Sequence, residues 1–592
     1  MNAITSLLIH TESSSKSRRI AFRVSAITVC IHIWLFFNQI SKPYVIDDAA
    51  FPYAASGILK TVTPYFYNGE FRPNDLGLWH PPLYVYSLAF NMMIFGESPA
   101  SVRFFGLLAI ATTSYICFKT LALLFPNNNL EVFSVFLLLF LLNPLVIAGA
   151  LTPDIDGTLG MVATALAMYL SISFVQKEFS RSQVLLSVLI LIFCWYTKFT
   201  ITILLIPILC LSVLLAPAQR MKKAFLVAVS VVFGFCFFLF TYTLFCRILR
   251  MPSNFLFDYF ESGIKRTSTG ESRLSSLIDR TSLTGQLFYW INPFFVVLTL
   301  MVFGSLSWAI YKRSSVNRAL IVLALSGPFI VVSYAAITGF PFSFPKYWSM
   351  ALIPFCLVSS SVCFMCINKL ARFTKFLPAF LMRPLFFSLL FVVGVFYFLQ
   401  YVRLSNRVLD NHREGLDLIW SGLFVLLPFL TFTALIFSWK FRKNILNKDV
   451  LRGIPSFVFV GVSFMTMTTS LMVSNVHKNA PFSTQYYFSE RGLGSVLNYL
   501  RNNIASGSIL ICAKDIGLQS GHKFYEDSFL LTLNSGDLAV SLESNTADYF
   551  ISRNKWDYSP AVYPAQFDVF ANFYTPIDNQ PSIDFVIWKR NP

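Results

Sequence analysis

Two adjacent carboxylates, Asp47 and Asp48, stand at the exit of the first long apolar run and open a stretch that ends in His80-Pro81-Pro82-Leu83. An ionisable pair at a membrane face is costly unless it works. A carboxylate there is a candidate general base, although the same pair can cap the helix that follows. Asp154 and Asp156, in Thr152-Pro153-Asp154-Ile155-Asp156, either cap the next apolar run or join the same site. Lys198, in Trp195-Tyr196-Thr197-Lys198-Phe199, is flanked by apolar segments. It needs an anionic partner, which a protein carboxylate or a lipid or substrate phosphate can supply. Lys265 and Arg266 lie in a loop of mixed charge, and Lys346 precedes Tyr347 in Phe344-Pro345-Lys346-Tyr347. The acid pair with His80 could bind a divalent cation, but the ligand spacing is loose and no metal ligand is assigned.

The elements that must position these groups follow from composition. The chain has 592 residues, 55% hydrophobic, 17% aromatic and 13% charged, with mean hydropathy +0.62. Soluble domains carry roughly 25% charged residues. The deficit, with repeated apolar runs long enough to cross a bilayer, indicates a polytopic α-helical membrane protein. The net charge of +17 is spread in short basic clusters between apolar runs, as expected of loops retained on one membrane side. It does not indicate nucleic-acid binding. Nine of the ten cysteines lie in apolar runs and only Cys512 in a polar region, so no disulfide framework is implied.

About 13 spans are expected, near 20–40, 103–125, 131–150, 157–175, 183–196, 199–215, 224–245, 287–310, 319–338, 347–367, 385–401, 418–439 and 456–473. The segment 82–95 is too short to span easily and is expected at the interface. With residues 1–19 cytoplasmic, alternate connections carry Lys/Arg clusters on the inside. Every candidate group named above then falls on the extracytoplasmic face. The resulting division is a transmembrane unit over 20–473, with a first outer loop at 41–102, and an extracytoplasmic α/β domain over 474–592. In that domain 490–502 reads as a helix, and 508–512, 548–552 and 584–589 read as strands.

Three segments in order, Asp47-Asp48-x-x-Phe51, Trp79-His80-Pro81-Pro82-Leu83-Tyr84 and Phe95-Gly96-x-Ser98-x-x-x-x-Arg103, resemble the first outer loop of GT-C membrane glycosyltransferases. The similarity is to the branch of protein O-mannosyltransferases and aminoarabinose (lipid A) transferases. The Asp154/Asp156 loop, Thr197-Lys198 and Pro345-Lys346-Tyr347 resemble later motifs of that branch. Here Asp48 stands where Glu is commoner, and His80 where aminoarabinose transferases have Lys. The resemblance implies inverting transfer of a sugar from a polyprenyl-phosphate donor to a lipid, polysaccharide or protein acceptor, in the inner membrane of a cell. It implies Asp47 as base and Asp48 and Asp156 as groups that orient acceptor or sugar, with Asp154 a weaker choice, and His80 is a candidate substrate-binding residue. Lys198, Arg266, Lys265 and Lys346 would hold the phosphate, with Tyr347 beside them. A flippase for lipid-linked glycans is the first competing class, but it should carry ionisable groups near the midplane. The second, a non-catalytic scaffold, leaves Lys198 and the acid pair without work.

Overall fold

The computed structural model describes residues 15–37, 40–44, 49–65, 76–258, 260–261, 315–338, 349–373, 482–483, 488–489, 492–553, 560, 562–582 and 584–592. The membrane unit begins with α1 (Ser15–Phe37), followed by two short helices of the first loop, α2 (Ala50–Thr61) and α3 (Leu83–Phe95). Next come α4 (Pro99–Leu124), α5 (Asn129–Leu141), α6 (Pro144–Leu151), α7 (Leu159–Gln176), α8 (Arg181–Thr197), α9 (Phe199–Leu215) and α10 (Arg220–Ile248). Helices α11 (Ser315–Thr338) and α12 (Ser349–Phe373) complete its described part.

Among the described residues, four helices are long and apolar enough to cross a membrane: Ser17–Phe37, Pro99–Leu124, Leu159–Gln176 and Arg220–Ile248. Large side chains such as Phe22, Trp34, Phe225, Phe240 and Ile248 remain exposed along them, as lipid contact requires. Five other expected spans fall on shorter apolar helices, and the segment at 82–95 becomes α3. The expected spans at 287–310, 385–401, 418–439 and 456–473 lie outside the described residues.

One expected span is corrected. The run 131–150 is not continuous but breaks between α5 and α6 at Leu142-Asn143-Pro144. Proline lacks the N–H that would continue the ladder. That N–H would have served the Phe140 carbonyl, which accepts from the Asn143 N–H at 3.1 Å instead. One residue on, the Leu141 carbonyl accepts a 2.7 Å hydrogen bond from Nδ1 of buried His32 in α1, which satisfies it away from water.

Local signals set the other ends. Ser98 caps α4 by accepting from the Ser101 N–H, with Pro99 in the first turn. Ser180 and Gln183 form a reciprocal capping box on α8. At the far end of α7, buried Lys223 donates to the carbonyls of Phe174 (2.6 Å) and Lys177 (2.9 Å). It places a cation where a helix C-terminus favours one.

The C-terminal unit carries a short hairpin, β1 (Phe482–Ser483) with β2 (Phe488–Ser489), and then α13 (Leu493–Asn503). The strands β3 (Ile509–Cys512), β4 (Lys523–Glu526), β5 (Tyr549–Arg553), β6 (Tyr574–Pro576) and β7 (Phe585–Arg590) form one sheet, ordered β4-β3-β5-β7-β6. Strand β3 pairs in parallel with β4 and β5, while β7 pairs antiparallel with β5 and β6. Between them lie α14 (Lys514–Ser520), α15 (Asp527–Leu531), α16 (Ser535–Ser544) and α17 (Pro564–Phe573).

Side-chain alternation sorts this sheet's two faces. Ile511 and Phe550 pack with Leu538, Leu542, Phe567 and Phe570 of α16 and α17. Leu510, Cys512 and Ile551 pack instead with Val496, Leu500 and Ile516 of α13 and α14. This second layer is continuous with the core of the membrane unit. It therefore decides which side of the domain faces the candidate site.

Candidate active site

Lys198 is the single residue between α8 and α9, held extended at φ −166°, ψ 131°. Its N–H still closes α8 on the Cys194 carbonyl, and its own carbonyl starts α9 by accepting from Thr202. The backbone is thus fully used, and the side chain turns inward. Its Nζ lies 2.7 Å from Asp156 Oδ2, with both side chains buried. Of the two partners left open by the sequence, the structure supplies the carboxylate. A buried pair of this kind is held by Coulomb attraction, and either charge left alone would be costly.

Asp156 is fixed by a compact loop. Asp154 Oδ1 accepts from the Asp156 N–H at 3.3 Å, and the Thr158 hydroxyl donates to the Asp154 carbonyl at 2.6 Å. Ser349 Oγ, in the first turn of α12, donates to the Asp156 carbonyl at 3.1 Å. That bond draws the chain immediately after Lys346-Tyr347 to the acidic loop. Two glycines permit the close packing beneath it. A Cβ on Gly157 would sit 2.0 Å from the Gly149 carbonyl oxygen, and one on Gly106 would sit 2.0 Å from that of Ala150.

The first loop reaches the same place. Leu76 and Leu78 pack in one apolar cluster with Trp195 and Phe199, which flank Lys198. Phe51, at the start of α2 and four residues after Asp47, stacks on the half-buried His80 ring at 6.2 Å. It also meets Trp79 and Tyr84 edge-on at 5.9 and 5.0 Å. The chain following the acid pair is therefore clamped to His80-Pro81-Pro82.

Arg103 ties the two acidic loops together. Its Nε donates to the Leu151 carbonyl at 2.9 Å. Its Nη1 donates to the carbonyls of Ile40 and Lys42, and its Nη2 to that of Pro43. The sequence shows Arg103 as a motif residue at a span edge, but gives no hint that it holds both loop roots.

The C-terminal unit contributes groups that the sequence did not point to. Gln519 accepts from the Tyr44 N–H at 2.6 Å and donates to the Tyr44 carbonyl at 3.1 Å. Phe524 meets Tyr53 at 6.0 Å. Lys514 lies 5.8 Å from the Trp79 ring centre and 3.7 Å from Glu526. Behind them the buried pair Asp515–Arg553, at 2.5 Å, braces the carboxyl ends of β3 and β5. Cys512 is buried nearby. Burial first, then Asp527 and Asp515, pushes its thiol well above its ordinary range, so nucleophilic thiol chemistry is disfavoured there.

The structure thus joins Asp154, Asp156 and Lys198, with Ser349 bonded to the same loop, while His80 lies on Phe51 in the first loop, two residues after Leu78, which packs in one cluster with Trp195 and Phe199. Asp47, Asp48, Lys265, Arg266, Lys346 and Tyr347 lie outside the described residues. Among the described residues no group of three or more His, Cys, Asp or Glu side chains assembles as a metal site.

Residues 79–242, which hold His80, both acids of the second loop and Lys198, match the family described as dolichyl-phosphate-mannose-protein mannosyltransferase. The chain is similar in structure to ArnT from Cupriavidus metallidurans bound to undecaprenyl phosphate. The TM-score is 0.56 at 12% identity, over 95% of this chain and 97% of that one. It is also similar to the same organism's ArnT in the apo state, with TM-score 0.53 at 14% identity over the same shares of each chain. No curated protein sequence matches. The class these findings define is a membrane protein of the GT-C glycosyltransferase fold.

Proposed function

We propose that this chain is an inverting membrane glycosyltransferase that takes a sugar from a polyprenyl-phosphate donor and passes it to an acceptor on the extracytoplasmic face of an inner membrane. The observation that carries the reading is the buried Asp156–Lys198 pair on the Asp154/Asp156 loop, beside which Leu76 and Leu78 of the first loop pack with Trp195 and Phe199. The shared fold with an ArnT bound to undecaprenyl phosphate supports it. In the proposed reaction Asp47 takes the proton of the acceptor hydroxyl as its oxygen bonds to the anomeric carbon, and the bond from that carbon to the phosphate oxygen breaks. Asp48 and Asp156 orient acceptor and sugar, with Asp154 shaping the loop that holds Asp156 and His80 lining the same wall.

The leaving phosphate needs cations. At about 4 Å and an effective dielectric near 20, one such contact is worth roughly 4 kcal/mol of Coulomb energy. Removing one group that stabilises developing charge costs about 10²–10³ in rate. Arg266 and Lys346, with Lys265, are assigned to this work, and Tyr347 to the sugar. Lys198 is engaged by Asp156, so it acts either by holding that carboxylate ionised and aimed or by sharing its charge with an incoming phosphate. The C-terminal domain, resting on the first loop through Gln519 and Lys514, is assigned to the acceptor side.

The test is mass spectrometry of membrane glycolipids and glycans with and without the gene, followed by transfer from a synthetic polyprenyl-phosphate sugar in proteoliposomes. Loss of one sugar from one product is expected. An unchanged glycan profile together with no transfer from any lipid-phosphate sugar would sink the proposal.

A further inference from the structure

Among the described residues, three lysines of the membrane unit have buried ammonium groups, and the protein treats them differently. Lys198 is neutralised by Asp156 at 2.7 Å. Lys223 is satisfied by two carbonyls at 2.6 and 2.9 Å. The third, Lys42, has its Nζ shielded from water with no hydrogen-bond partner among the described residues. The charged group that acts on it is Arg103, which repels it. A buried ammonium is ordinarily paired, and a lysine at a membrane edge can usually extend its long stem to water. Lys42 does neither.

The backbone around Lys42 is pinned, so the side chain has a fixed origin. Arg103 grips the carbonyls of Ile40, Lys42 and Pro43, and Gln519 grips both backbone groups of the next residue, Tyr44. The Arg103 guanidinium, which donates to these carbonyls, lies 5.4 Å from the Tyr44 ring centre. Just beyond the end of α1, a helix long and apolar enough to cross a membrane, Lys42 is expected at the level of lipid head groups. Anions at that level are chiefly phosphate esters.

We infer that Lys42 is an anion-binding residue whose ammonium, beside Arg103 at the root of the first loop, receives the phosphate of a membrane lipid. This rests on the lipid-phosphate reading above and adds a residue to it. The chemistry recognised is a phosphate ester on an apolar tail. The proposed source is the polyprenyl-phosphate donor rather than bulk phospholipid. Burial, then the Arg103 charge, pulls the Lys42 pKa down to about 8, consistent with a cation awaiting its counter-ion.

The experiment uses the full chain in detergent, as wild type, Lys42→Met and Lys42→Arg. Thermal unfolding is followed with undecaprenyl phosphate, phosphatidylglycerol or inorganic phosphate. Without lipid, Lys42→Met should melt above wild type, because removing an uncompensated buried charge relieves a cost. It should bind undecaprenyl phosphate at least about tenfold more weakly, as expected for one lost charge-assisted contact. Lys42→Arg should retain most of the affinity.

A Lys42→Met protein that binds as tightly as wild type overturns the assignment whatever its melting temperature, and leaves the proposed function standing if wild type binds undecaprenyl phosphate. Wild-type binding of phosphatidylglycerol alone, lost in Lys42→Met, keeps the lipid-phosphate role of Lys42 and removes the donor as its source. A response to inorganic phosphate equal to that of either lipid overturns the lipid part. Absence of any response in wild type overturns both the assignment and the donor reading.

Discussion

Gln519 and Tyr44, 475 residues apart in sequence, close a ring of two hydrogen bonds in which one side-chain amide serves both backbone groups of a buried tyrosine. The root of the first loop therefore has its hydrogen bonds completed by the C-terminal domain. Gln519→Ala would remove both hydrogen bonds from these buried backbone groups, at a cost of about 1–3 kcal/mol each. We expect faster amide exchange and easier proteolysis around residues 40–44 and 514–526, with the membrane helices unaffected. Unchanged exchange at 40–44 would show that the domain does not support this loop.

The Asp156–Lys198 pair predicts a non-additive pattern. Asp156→Asn or Lys198→Ala removes one charge of the buried pair, so each should lower stability by about 3–5 kcal/mol. The pair Asp156→Leu with Lys198→Met should recover most of that loss, since apolar replacement of a whole buried ion pair is often tolerated. Transfer activity should stay absent in the double variant. Thermal unfolding of the four proteins, arranged as a cycle, measures the coupling. Recovery of activity along with stability would make the pair purely structural.

Asp47→Asn keeps the shape of the side chain and removes its basicity. Under the proposed mechanism it should reduce transfer by at least about 10²-fold, the lower end of general-base contributions, at normal levels in the membrane. A variant that transfers sugar at wild-type rate would remove Asp47 as base and shift attention to Asp48.

Gly157→Ala tests the packing below the acidic loop. The added Cβ would overlap the Gly149 carbonyl, and backbone on both sides leaves little room to yield. A loss of about 1–3 kcal/mol is expected, as for overpacked cores, with a larger loss of activity because Asp156 is displaced. Retention of full activity would show that the loop adapts.

Lys42 gives a pH dependence with a definite sign. Its folded pKa of about 8 lies below its ordinary value of 10.5, so between those values the unfolded chain binds more protons than the folded one. Stability from this group therefore rises with pH across that window, and its penalty is complete below pH 8. Melting temperatures of the lipid-free protein should show this component in wild type and lose it in Lys42→Met. Parallel pH profiles for the two proteins would contradict it.

Much of the membrane unit was legible because its signals are local. The α9 bounds match the expected span 199–215, since apolar run length and the flanking Lys198 mark both ends. The stretch 131–150 misled because its apolar content is continuous, while the break depends on one proline and on His32 from another helix. Within the site, Lys198 stood out as a lysine among apolar residues, but its partner did not. Asp156 and a lipid phosphate offer the same charge, and only the folded geometry separates them. Gln519 and Lys514 carried no signal, because their importance lies in contacts with Tyr44 and Trp79 across hundreds of residues. In the C-terminal unit β3, β5 and β7 were visible as short apolar runs, whereas β4, with Lys523 and Glu526 at its ends, was not.

The grip of Arg103 on the carbonyls at 40–43 and on Leu151 fastens both acidic loops to a single guanidinium through backbone atoms alone. Such anchorage is blind to the side chains it holds. The residues strung between these fixed points can be exchanged for those of another chain while the attachment stays put. Side chains beside these anchor points can therefore vary without loosening the loop roots, which is a route by which a scaffold of this kind could acquire a different sugar or acceptor preference without being rebuilt.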